Sequence, residues 1–360
     1  MFRGINVSWH PSHWPTGDFA SDMYLFKGLG VRTIRALPFL WRFFQPTGPD
    51  EVSELGFTET VFDGNPKYVA SLDDVVQTCT ELDMYVIVTL ECTSYNPAPQ
   101  WAQDLGCPGH GRFAIWDWAL AGSENAQTCL RGIRNTVVSI VRRYPGNVRV
   151  ILNVFNEPSI QDLDPSVGAA NYKAFMESCV AAIRANESVA HYIVVPEYFG
   201  LRDMGLTDNI VGDGRVYRDT HFYWPFEQPY DHSQYASLEN DFQKRINALT
   251  NTGLKLMVGE FGRRIDPLDG GSLEWIMDAY DVFEKHGVVD VIWHAWSHAP
   301  GIGYTLLDSS NKPIEPYYSA VMSGLYVPPT PTFPFWSLLT RIVGPIGVGL
   351  YFLGRSTRRG

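Results

Sequence analysis

The sequence contains little cysteine, and its cysteines are scattered. Five occur among 360 residues, and none forms a Cys-x-x-Cys pair or stands at a spacing from histidine that structural zinc sites use. We therefore expect no structural zinc. An odd cysteine count leaves at least one thiol without a partner in the chain. A loop disulfide between Cys92 and Cys107 is an alternative if the protein resides in an oxidising compartment.

Positive charge is also scarce. Lysine and arginine number 28 against 39 aspartates and glutamates, which gives a formal net charge of -11 at pH 7. Proteins that bind nucleic acid through its phosphates need clustered basic side chains that release counterions. We therefore expect no nucleic-acid partner.

Motifs for nucleotides and catalytic metals are missing too. No GxGxxG or GxxxxGK[ST] segment follows a predicted strand, so the phosphate-binding loop of nucleotide-binding folds is absent. His10 and His13 in "WHPSHWP" suggest a metal pair, but such a site needs further His and Asp ligands at later strand ends, where only His221 stands. We predict a protein that uses neither a metal nor another cofactor.

Apolar and aromatic residues are abundant and occur in short runs. Hydrophobic residues make up 45% of the chain and aromatic residues 14%, enough for a large core. Eight apolar runs typical of buried strands alternate with helical segments, as in parallel β/α folds. The runs are "RGINVSW" (3–9), "VRTIRAL" (31–37), "MYVIVTLE" (84–91), "VRVILNVFNE" (148–157), "HYIVVPE" (191–197), "RVYRDTHFY" (215–223), "LKLMVGE" (254–260) and "VVDVIWHAW" (288–296). This pattern predicts an α/β protein with a (β/α)8 TIM barrel over residues 1–326.

Polar side chains cluster at the carboxyl ends of these strands, which in such a barrel meet at one rim. Any one of them could be structural, as an ion-pair member, a core histidine with satisfied hydrogen bonds or a helix cap. Together they would be costly to bury without a shared role. The predicted functional site consists of Arg35, Glu91, Asn156, Glu157, His221, Tyr223, Glu260 and Trp296.

Among these residues, Glu157 ends the fourth predicted strand and Glu260 ends the seventh. Two carboxyl groups that face each other across a barrel mouth can hydrolyse a glycosidic bond, one by protonating the leaving oxygen and the other by attacking the anomeric carbon. Arg35 beside Glu260 would keep that carboxylate ionised. We predict Glu260 as the nucleophile and Glu157 as the proton donor, with carboxyl groups about 5 to 5.5 Å apart.

The segments "RGIN", "TIR", "NVFNEP", "HFYWP", "VGEFG" and "HAWSH" occur in this order, and the set resembles glycoside hydrolase family 5, a cellulase-like family of retaining (β/α)8 enzymes. The resemblance extends from residue 3 to about residue 326 and includes "GYTLLDSSNKPIEPYYSAV". Its most specific parts are "NEP" after the fourth strand and "GEFG" at the seventh. The resemblance implies Glu157 as the acid/base residue and Glu260 as the nucleophile.

The resemblance also implies roles for other residues at the rim. Asn156 would bind the sugar 2-hydroxyl, Arg35 and Tyr223 would support the nucleophile, and His221 would belong to a subsite or a hydrogen-bond network. Trp296 matches the tryptophan that stacks on the sugar, with Trp293 as the alternative.

One position departs from the family. After the third strand, where the family commonly has histidine, this chain has Glu91 and Cys92. Glu91 would either bind a sugar hydroxyl or pair with Arg35 or another nearby base. Loop aromatics that could also carry a sugar are Trp101, Trp116, Trp118 and Trp224.

These inferences favour a retaining endo-acting β-glycanase. The expected partner is a β-linked polysaccharide or oligosaccharide, with β-1,4-glucan ahead of β-mannan, since the same catalytic residues serve either. A hypothesis of another class is a non-catalytic glycan-binding barrel. Binding alone does not require both Glu157 and Glu260.

The composition changes after residue 326. The segment "VPPTPTFP" (327–334) predicts a semi-rigid linker, and "FWSLLTRIVGPIGVGLYFL" (335–353) is a hydrophobic tail near the length of a membrane span, followed by basic "GRSTRRG". Arg341 weakens this interpretation, and a tail packed on the barrel is the alternative. We expect an extracellular or cell-surface protein, although no signal peptide is visible at "MFRGIN".

Overall fold

The computed structural model describes a closed barrel of parallel strands with helices around it. The described residues are 2–8, 19–37, 67–90, 103, 105–107, 114–158, 163–197, 213–225, 228–249, 253–265, 271–296, 304, 306–308 and 312–326. The strands are β1 (Arg3–Ser8), β2 (Thr33–Leu37), β3 (Tyr85–Thr89), β4 (Val150–Asn153), β5 (Tyr192–Pro196), β6 (Val216–Phe222), β7 (Lys255–Phe261) and β8 (Val291–Trp296). They pair in chain order, and β8 pairs in parallel with β1. The predicted (β/α)8 TIM barrel is confirmed.

The described part of the chain contains eight α-helices, the last of which follows β8. They are α1 (Phe19–Gly28), α2 (Lys67–Glu81), α3 (Ala114–Ala119), α4 (Glu124–Arg143), α5 (Pro165–Asn186), α6 (Tyr235–Leu249), α7 (Gly271–Lys285) and α8 (Tyr317–Leu325).

Capping residues determine where two of the long helices begin. Before α4, the Ser123 side chain accepts a hydrogen bond from the Ala126 N–H. Before α5, the Asp164 carboxylate accepts from the Ser166 N–H, and Pro165 occupies the first helical position. Such a cap contributes about 1 kcal/mol, and proline suits a position whose N–H has no helical partner. The caps therefore mark the first residues of α4 and α5.

The core has two parts. The larger lies between the barrel and the helices, where Phe222 of β6 packs against Phe242 of α6 and Phe283 of α7. The smaller lies inside the barrel near the amino ends of the strands, and we call it the bottom layer. It consists of Phe2, Ile87, Ile151, Val194, Tyr217, Met257 and Ile292.

Alternation along β6 decides which of its side chains reach the barrel interior. Tyr217 belongs to the bottom layer, whereas Phe222 packs on the helices. Successive side chains of a strand point to opposite faces, so Asp219 and His221 share the interior face with Tyr217. The interior side of β6 is therefore aromatic at the bottom and ionisable toward the mouth.

The predictions of a linker, a hydrophobic tail and a disulfide concern residues that the structure does not describe. The linker at 327–334 and the tail at 335–353 lie outside the described residues, as does Cys92 of the proposed disulfide. Among the helices that are described, none is both long and apolar enough to cross a bilayer.

Candidate active site

Six of the eight predicted site residues come together at the carboxyl ends of the strands. They are Arg35 on β2, Asn156 and Glu157 after β4, His221 on β6, Tyr223 after β6, and Glu260 on β7.

Arg35 is the centre of a buried hydrogen-bond network. Its guanidinium donates to Oε1 of Glu260 at 2.6 Å, to Oδ1 of Asn156 at 2.9 Å and to Oδ1 of Asn6 at 3.0 Å. Nη2 also lies 3.7 Å from Oδ2 of Asp219. A buried ion pair survives only when hydrogen bonds satisfy its polar atoms, and the planar fork of an arginine can serve several acceptors. Arg35 therefore fixes the position of the Glu260 carboxylate.

Glu157 and Glu260 face the same histidine. Nδ1 of His221 lies 2.9 Å from Oε1 of Glu157 and 3.3 Å from Oε2 of Glu260. One oxygen of each glutamate and a His221 nitrogen all lie within 4.8 Å of one another. The Tyr223 hydroxyl donates to Oε2 of Glu260 at 2.7 Å. The nearest oxygens of Glu157 and Glu260 therefore lie within 4.8 Å of each other. In inverting glycosidases the two carboxyl groups are roughly 6.5 Å or more apart.

The charges of His221 and Glu260 stabilise each other. Burial alone lowers the pKa of His221, but the carboxylates of Glu260 and Asp219 outweigh burial and raise this pKa to about 10. Burial also favours a neutral Glu260, yet the positive charges of His221 and Arg35 hold the pKa of Glu260 well below its usual range. Burial, followed by the charge of Glu260, raises the pKa of Tyr223 far above its ordinary value, so its hydroxyl keeps the proton that it donates.

Glu157 stands on an unusual backbone conformation. Its φ angle is +41°, in the left-handed region that residues other than glycine adopt at a cost of roughly 1 to 2 kcal/mol. The Asn156 N–H donates to the Leu90 carbonyl oxygen at 2.9 Å, which ties this loop to the end of β3. The Glu157 side chain is 23% exposed and that of Glu260 only 5%. The loop therefore directs Glu157 toward the open part of the mouth.

The cluster of Glu157, His221 and Glu260 is also the group, among the described residues, in which three potential metal-ligand atoms come close together. Histidine ligates a metal through an unprotonated ring nitrogen. The carboxylates around His221 keep its imidazole cationic. We therefore interpret the group as a hydrogen-bonded acid and base cluster.

Three supporting residues were not predicted from the sequence: Asn6, Asn153 and Asp219. The Asp219 carboxylate accepts hydrogen bonds from Nδ2 of Asn153 at 3.0 Å and from the Gly259 N–H at 2.8 Å. A Cβ on Gly259 would overlap that carboxylate, so only glycine fits there. Nδ2 of Asn6 donates to the Gly259 carbonyl oxygen at 3.1 Å. A signal for Asp219 was available, because it precedes His221 by two positions on one strand.

The structure does not bring Trp296 into the site, which corrects the sequence-based expectation. Trp296 is 3% exposed, and its ring packs edge-on against Phe26 of α1. Trp293, the alternative, is buried edge-on against Phe261. Both rings lie on the helix side of β8, so neither is placed to stack on a sugar in the mouth.

A register irregularity explains the position of Trp296. Strict alternation from Trp293 would turn Trp296 to the interior face. The pairing of β1 with β8 shifts between Ile5 and Val7, so that Ile5 pairs with Trp293 but Val7 pairs with Trp296. The shift changes the phase of the last residues of β8 and leaves Trp296 on the outside.

The interior position near the end of β8 belongs to His294, which the sequence analysis missed. Ile292, two residues earlier, is in the bottom layer. Nδ1 of His294 lies 3.8 Å from Oε2 of Glu260, and its ring is edge-on to those of Tyr223 and Tyr304. Counting alternate residues from Ile292 would have found it.

The remaining candidates lie elsewhere. Glu91 and Trp101 are outside the described residues, so their predicted roles stay predictions. Trp116 is buried in the core. Trp118 and Trp224 are partly buried and pack against the same core.

Solved structures with this fold include several endoglucanases. A broad specificity endoglucanase from Clostridium acetobutylicum superposes with a TM-score of 0.69 at 16% identity, covering 91% of this chain and 97% of the other. Endoglucanase Cel5A from Thermotoga maritima gives 0.62 at 13% identity, with 90% and 96% covered. A lichenase of glycoside hydrolase family 5 from Caldicellulosiruptor sp. F32 superposes with a TM-score of 0.64 at 16% identity, covering 89% of this chain and 92% of the other. At this level of identity the similarity establishes the fold.

The family assignment comes from the sequence match. No curated protein matches this chain significantly. The family model described as cellulase (glycosyl hydrolase family 5) matches residues 1–299, which is most of the 360-residue chain. The match includes the whole buried network around Arg35 and both glutamates, and it agrees with the resemblance in the motifs. The chain therefore belongs to glycosyl hydrolase family 5, the cellulase family, and it is a glycoside hydrolase.

Proposed function

We propose that this protein is a retaining, endo-acting β-glycanase that hydrolyses β-1,4-linked glucan by double displacement. The observation that carries the proposal is the paired geometry of Glu157 and Glu260, whose nearest carboxylate oxygens lie within 4.8 Å of each other on either side of His221. That separation suits direct attack on the sugar and leaves little room for the water molecule that an inverting mechanism needs.

In the first step Glu260 acts as the nucleophile. Its carboxylate forms a bond to the anomeric carbon while the glycosidic bond breaks, and Glu157 transfers its proton to the departing oxygen. The low pKa of Glu260, which His221 and Arg35 maintain against burial, supports this assignment because the nucleophile must be ionised. The more exposed position of Glu157 suits a group that exchanges protons with the leaving group and with water.

In the second step a water molecule replaces the leaving group. Glu157, now a carboxylate, takes a proton from the water, whose oxygen attacks the anomeric carbon and releases Glu260. Two inversions at one carbon give net retention. His221 lies within hydrogen-bond distance of Glu157, so its cationic ring can stabilise Glu157 whenever Glu157 carries negative charge.

The other residues position the reacting groups. Arg35 and Tyr223 each donate a hydrogen bond to a different oxygen of Glu260, which orients that carboxylate. Arg35 holds the amide oxygen of Asn156, so the amide NH2 becomes the donor end. We assign to Asn156 the hydrogen bond to the sugar 2-hydroxyl, a contact that strengthens as positive charge develops on the sugar.

Membership in the cellulase family supports β-1,4-glucan as the first substrate to test. The similar solved structures include a broad specificity endoglucanase and a lichenase, which supports testing mixed-linkage glucan beside cellulose derivatives. β-Mannan stays the alternative polysaccharide, because the paired glutamates serve either sugar.

Carboxymethyl cellulose, mixed-linkage β-glucan, mannan and xylan should be assayed in parallel for new reducing ends and for loss of viscosity. We expect new reducing ends to form from a glucan. The viscosity should fall early, because cleavage at internal bonds shortens the polymer quickly. Proton NMR of the first product should show the β anomer before mutarotation. A first product with the α anomer would overturn the retaining mechanism, and activity on mannan alone would replace glucan as the substrate.

A further inference from the structure

His294 borders Glu260 from β8, the strand that pairs with β7, on which Glu260 lies. It lies two residues after Ile292 of the bottom layer, and it is the next residue of β8 that faces the barrel interior. Its Nδ1 atom lies 3.8 Å from Oε2 of Glu260, which is too long for a hydrogen bond. The same oxygen accepts the Tyr223 hydroxyl at 2.7 Å. Oε2 is thus the Glu260 oxygen shared by the residues that line the mouth, whereas Oε1 is held by Arg35.

One ring nitrogen of His294 makes no hydrogen bond within the described part of the protein. Nδ1 is shielded from solvent and has no hydrogen-bond partner among the described residues. The side chain as a whole is 21% exposed, so part of the ring opens to the mouth. Tyr223 and Tyr304 hold the ring by edge-on contacts, with centroids at 6.3 and 6.0 Å. A shielded polar atom without a partner destabilises the unliganded site, so a ligand that satisfies it gains binding energy.

His294 and His221 both lie near Glu260, but they differ in charge. His221 also faces Asp219 and Glu157, and it is cationic. Burial, reinforced by the positive charge of His221, lowers the pKa of His294 below its ordinary value despite the nearby Glu260. A neutral imidazole has one donor nitrogen and one acceptor nitrogen, and either can bind a sugar hydroxyl.

We propose that His294 binds the sugar unit that Glu260 attacks, through a hydrogen bond to one of its hydroxyls and contact with its imidazole ring. The inference rests on the proposed role of Glu260. For attack, the anomeric carbon must approach the nucleophilic oxygen to about 3 to 3.5 Å. A sugar in that position also contacts the side chains that border the same oxygen. His294 takes the place on β8 at which the sequence led us to expect a tryptophan platform.

Two substitutions separate the polar and the ring contributions. His294→Phe keeps a flat ring and removes both nitrogens, whereas His294→Gln keeps a hydrogen-bonding group and removes the ring. The matched control is His286→Gln, since His286 follows α7 and contacts Glu239, away from the mouth. Each variant is assayed on the glucan that the wild type cleaves best and on an aryl β-cellobioside, and its melting temperature is recorded.

We expect His294→Phe to lower kcat/KM about ten-fold, the effect of losing one hydrogen bond, with an unchanged melting temperature. His294→Gln should recover part of the loss, and the control should match the wild type. In a Glu157→Gln background, which retains Glu260, His294→Phe should weaken cellotetraose binding by a similar factor in calorimetry.

Values of kcat/KM and cellotetraose affinity within two-fold of the parent for His294→Phe would overturn this inference alone. It would also fail if both His294 variants lost activity equally together with a large fall in melting temperature, since that result would indicate packing. A wild type that cleaves no β-glycan would overturn the proposed function and this inference with it.

Discussion

The barrel interior contains two regions that are built from the same strands and have opposite chemistry. The bottom layer is apolar and aromatic, whereas the mouth carries ionisable groups in direct contact. On β6, Tyr217 lies in the bottom layer and His221 in the mouth. On β8, Ile292 lies in the bottom layer and His294 in the mouth. Tyr217 and Ile292 are buried, and so are Arg35, His221 and Glu260 of the mouth, so burial alone does not distinguish the two regions.

The difference lies in what burial achieves at each end. Burying a large apolar side chain contributes about 1.5 to 3 kcal/mol to folding, whereas a buried ion pair is often no better for stability than apolar residues of similar size. The bottom layer therefore stabilises the barrel, and the mouth holds its charges for chemistry. Substitutions at the two ends should have opposite signatures, with activity lost at the mouth and stability lost at the bottom.

The largest effect should come from Glu260→Ala. We expect turnover to fall by about 10^4-fold or more because the attacking group is removed. Arg35 keeps its hydrogen bonds to Asn156 and Asn6, so circular dichroism should still show a folded barrel. Azide should restore part of the activity and give a glycosyl azide of inverted configuration. Full activity in this variant would remove Glu260 from the mechanism.

Glu157→Ala should have a large effect that depends on the leaving group. Polysaccharide hydrolysis should fall by about 10^2 to 10^4-fold, the usual contribution of general acid catalysis. A dinitrophenyl glycoside, whose leaving group needs little protonation, should be spared in the first step. Stopped-flow measurement of the released phenol tests this. Equal losses for Glu157→Ala and Glu260→Ala on the activated substrate would contradict the separate roles.

Ile292→Ala tests the other end of the barrel. Truncating a fully buried side chain in the bottom layer should lower the free energy of unfolding by about 2 to 5 kcal/mol. Because the change lies two residues from His294 but on the far side of the interior from the substrate, kcat at 25 °C should stay close to wild type. Urea denaturation and steady-state kinetics measure the two quantities. A large fall in kcat without loss of stability would break the comparison.

Glu197→Gln tests a buried charge that lies outside the barrel interior. Glu197 pairs with Arg245 of α6 at 3.3 Å, and burial, opposed by Arg245 and Arg218, raises its pKa from 4.5 to about 7. Glu197 ionises at a lower pH in the unfolded chain than in the folded protein. Its contribution to the free energy of unfolding is therefore fully present below about pH 4.5 and is lost as the pH rises to about 7, a change of about 3 kcal/mol.

Denaturation of both proteins at pH 5 and pH 8 checks this sign. Wild type should lose more stability between these pH values than Glu197→Gln does, because glutamine cannot ionise. Activity measured below the melting temperature should be similar in the two proteins. Parallel stability profiles would mean that Glu197 titrates alike in the folded and unfolded chains.

The smallest effect should come from Tyr223→Phe. Removing one hydrogen bond to the ionised Glu260 should lower kcat/KM about ten-fold. The same hydrogen bond helps to lower the pKa of Glu260, so its loss should move the acidic limb of the pH-rate profile to higher pH. An unshifted acidic limb would show that Tyr223 does not stabilise the charged carboxylate.

Some residues of the mouth were predicted from the sequence, and others were missed. Arg35, Glu157 and Glu260 were found from the sequence because each stands at or just after the end of an apolar run, and such ends meet at one rim of a barrel. His294 and Asp219 were missed because they look unremarkable in sequence. Their relevance depends on which face of the strand they occupy.

Trp296 shows where sequence reasoning was misled. Its position at the end of β8 was predicted well, but its direction depends on the shifted pairing between β1 and β8. Such an irregularity leaves no local mark in the letters "WHAW". The platform predicted from the tryptophan is therefore absent from the mouth, and His294 lines it instead.

The sequence by itself determined the alternation of strands and helices, the barrel that follows from it, and the two carboxylates on which the proposed mechanism depends, because hydrophobic periodicity and strand-end position are local properties. Only the tertiary structure decided the separation of Glu157 and Glu260, the cationic state of His221 between them, and the choice of His294 over Trp296. These features arise from contacts between β2, β4, β6, β7 and β8, and the pairing register and mutual burial that set them exist only once the barrel has closed.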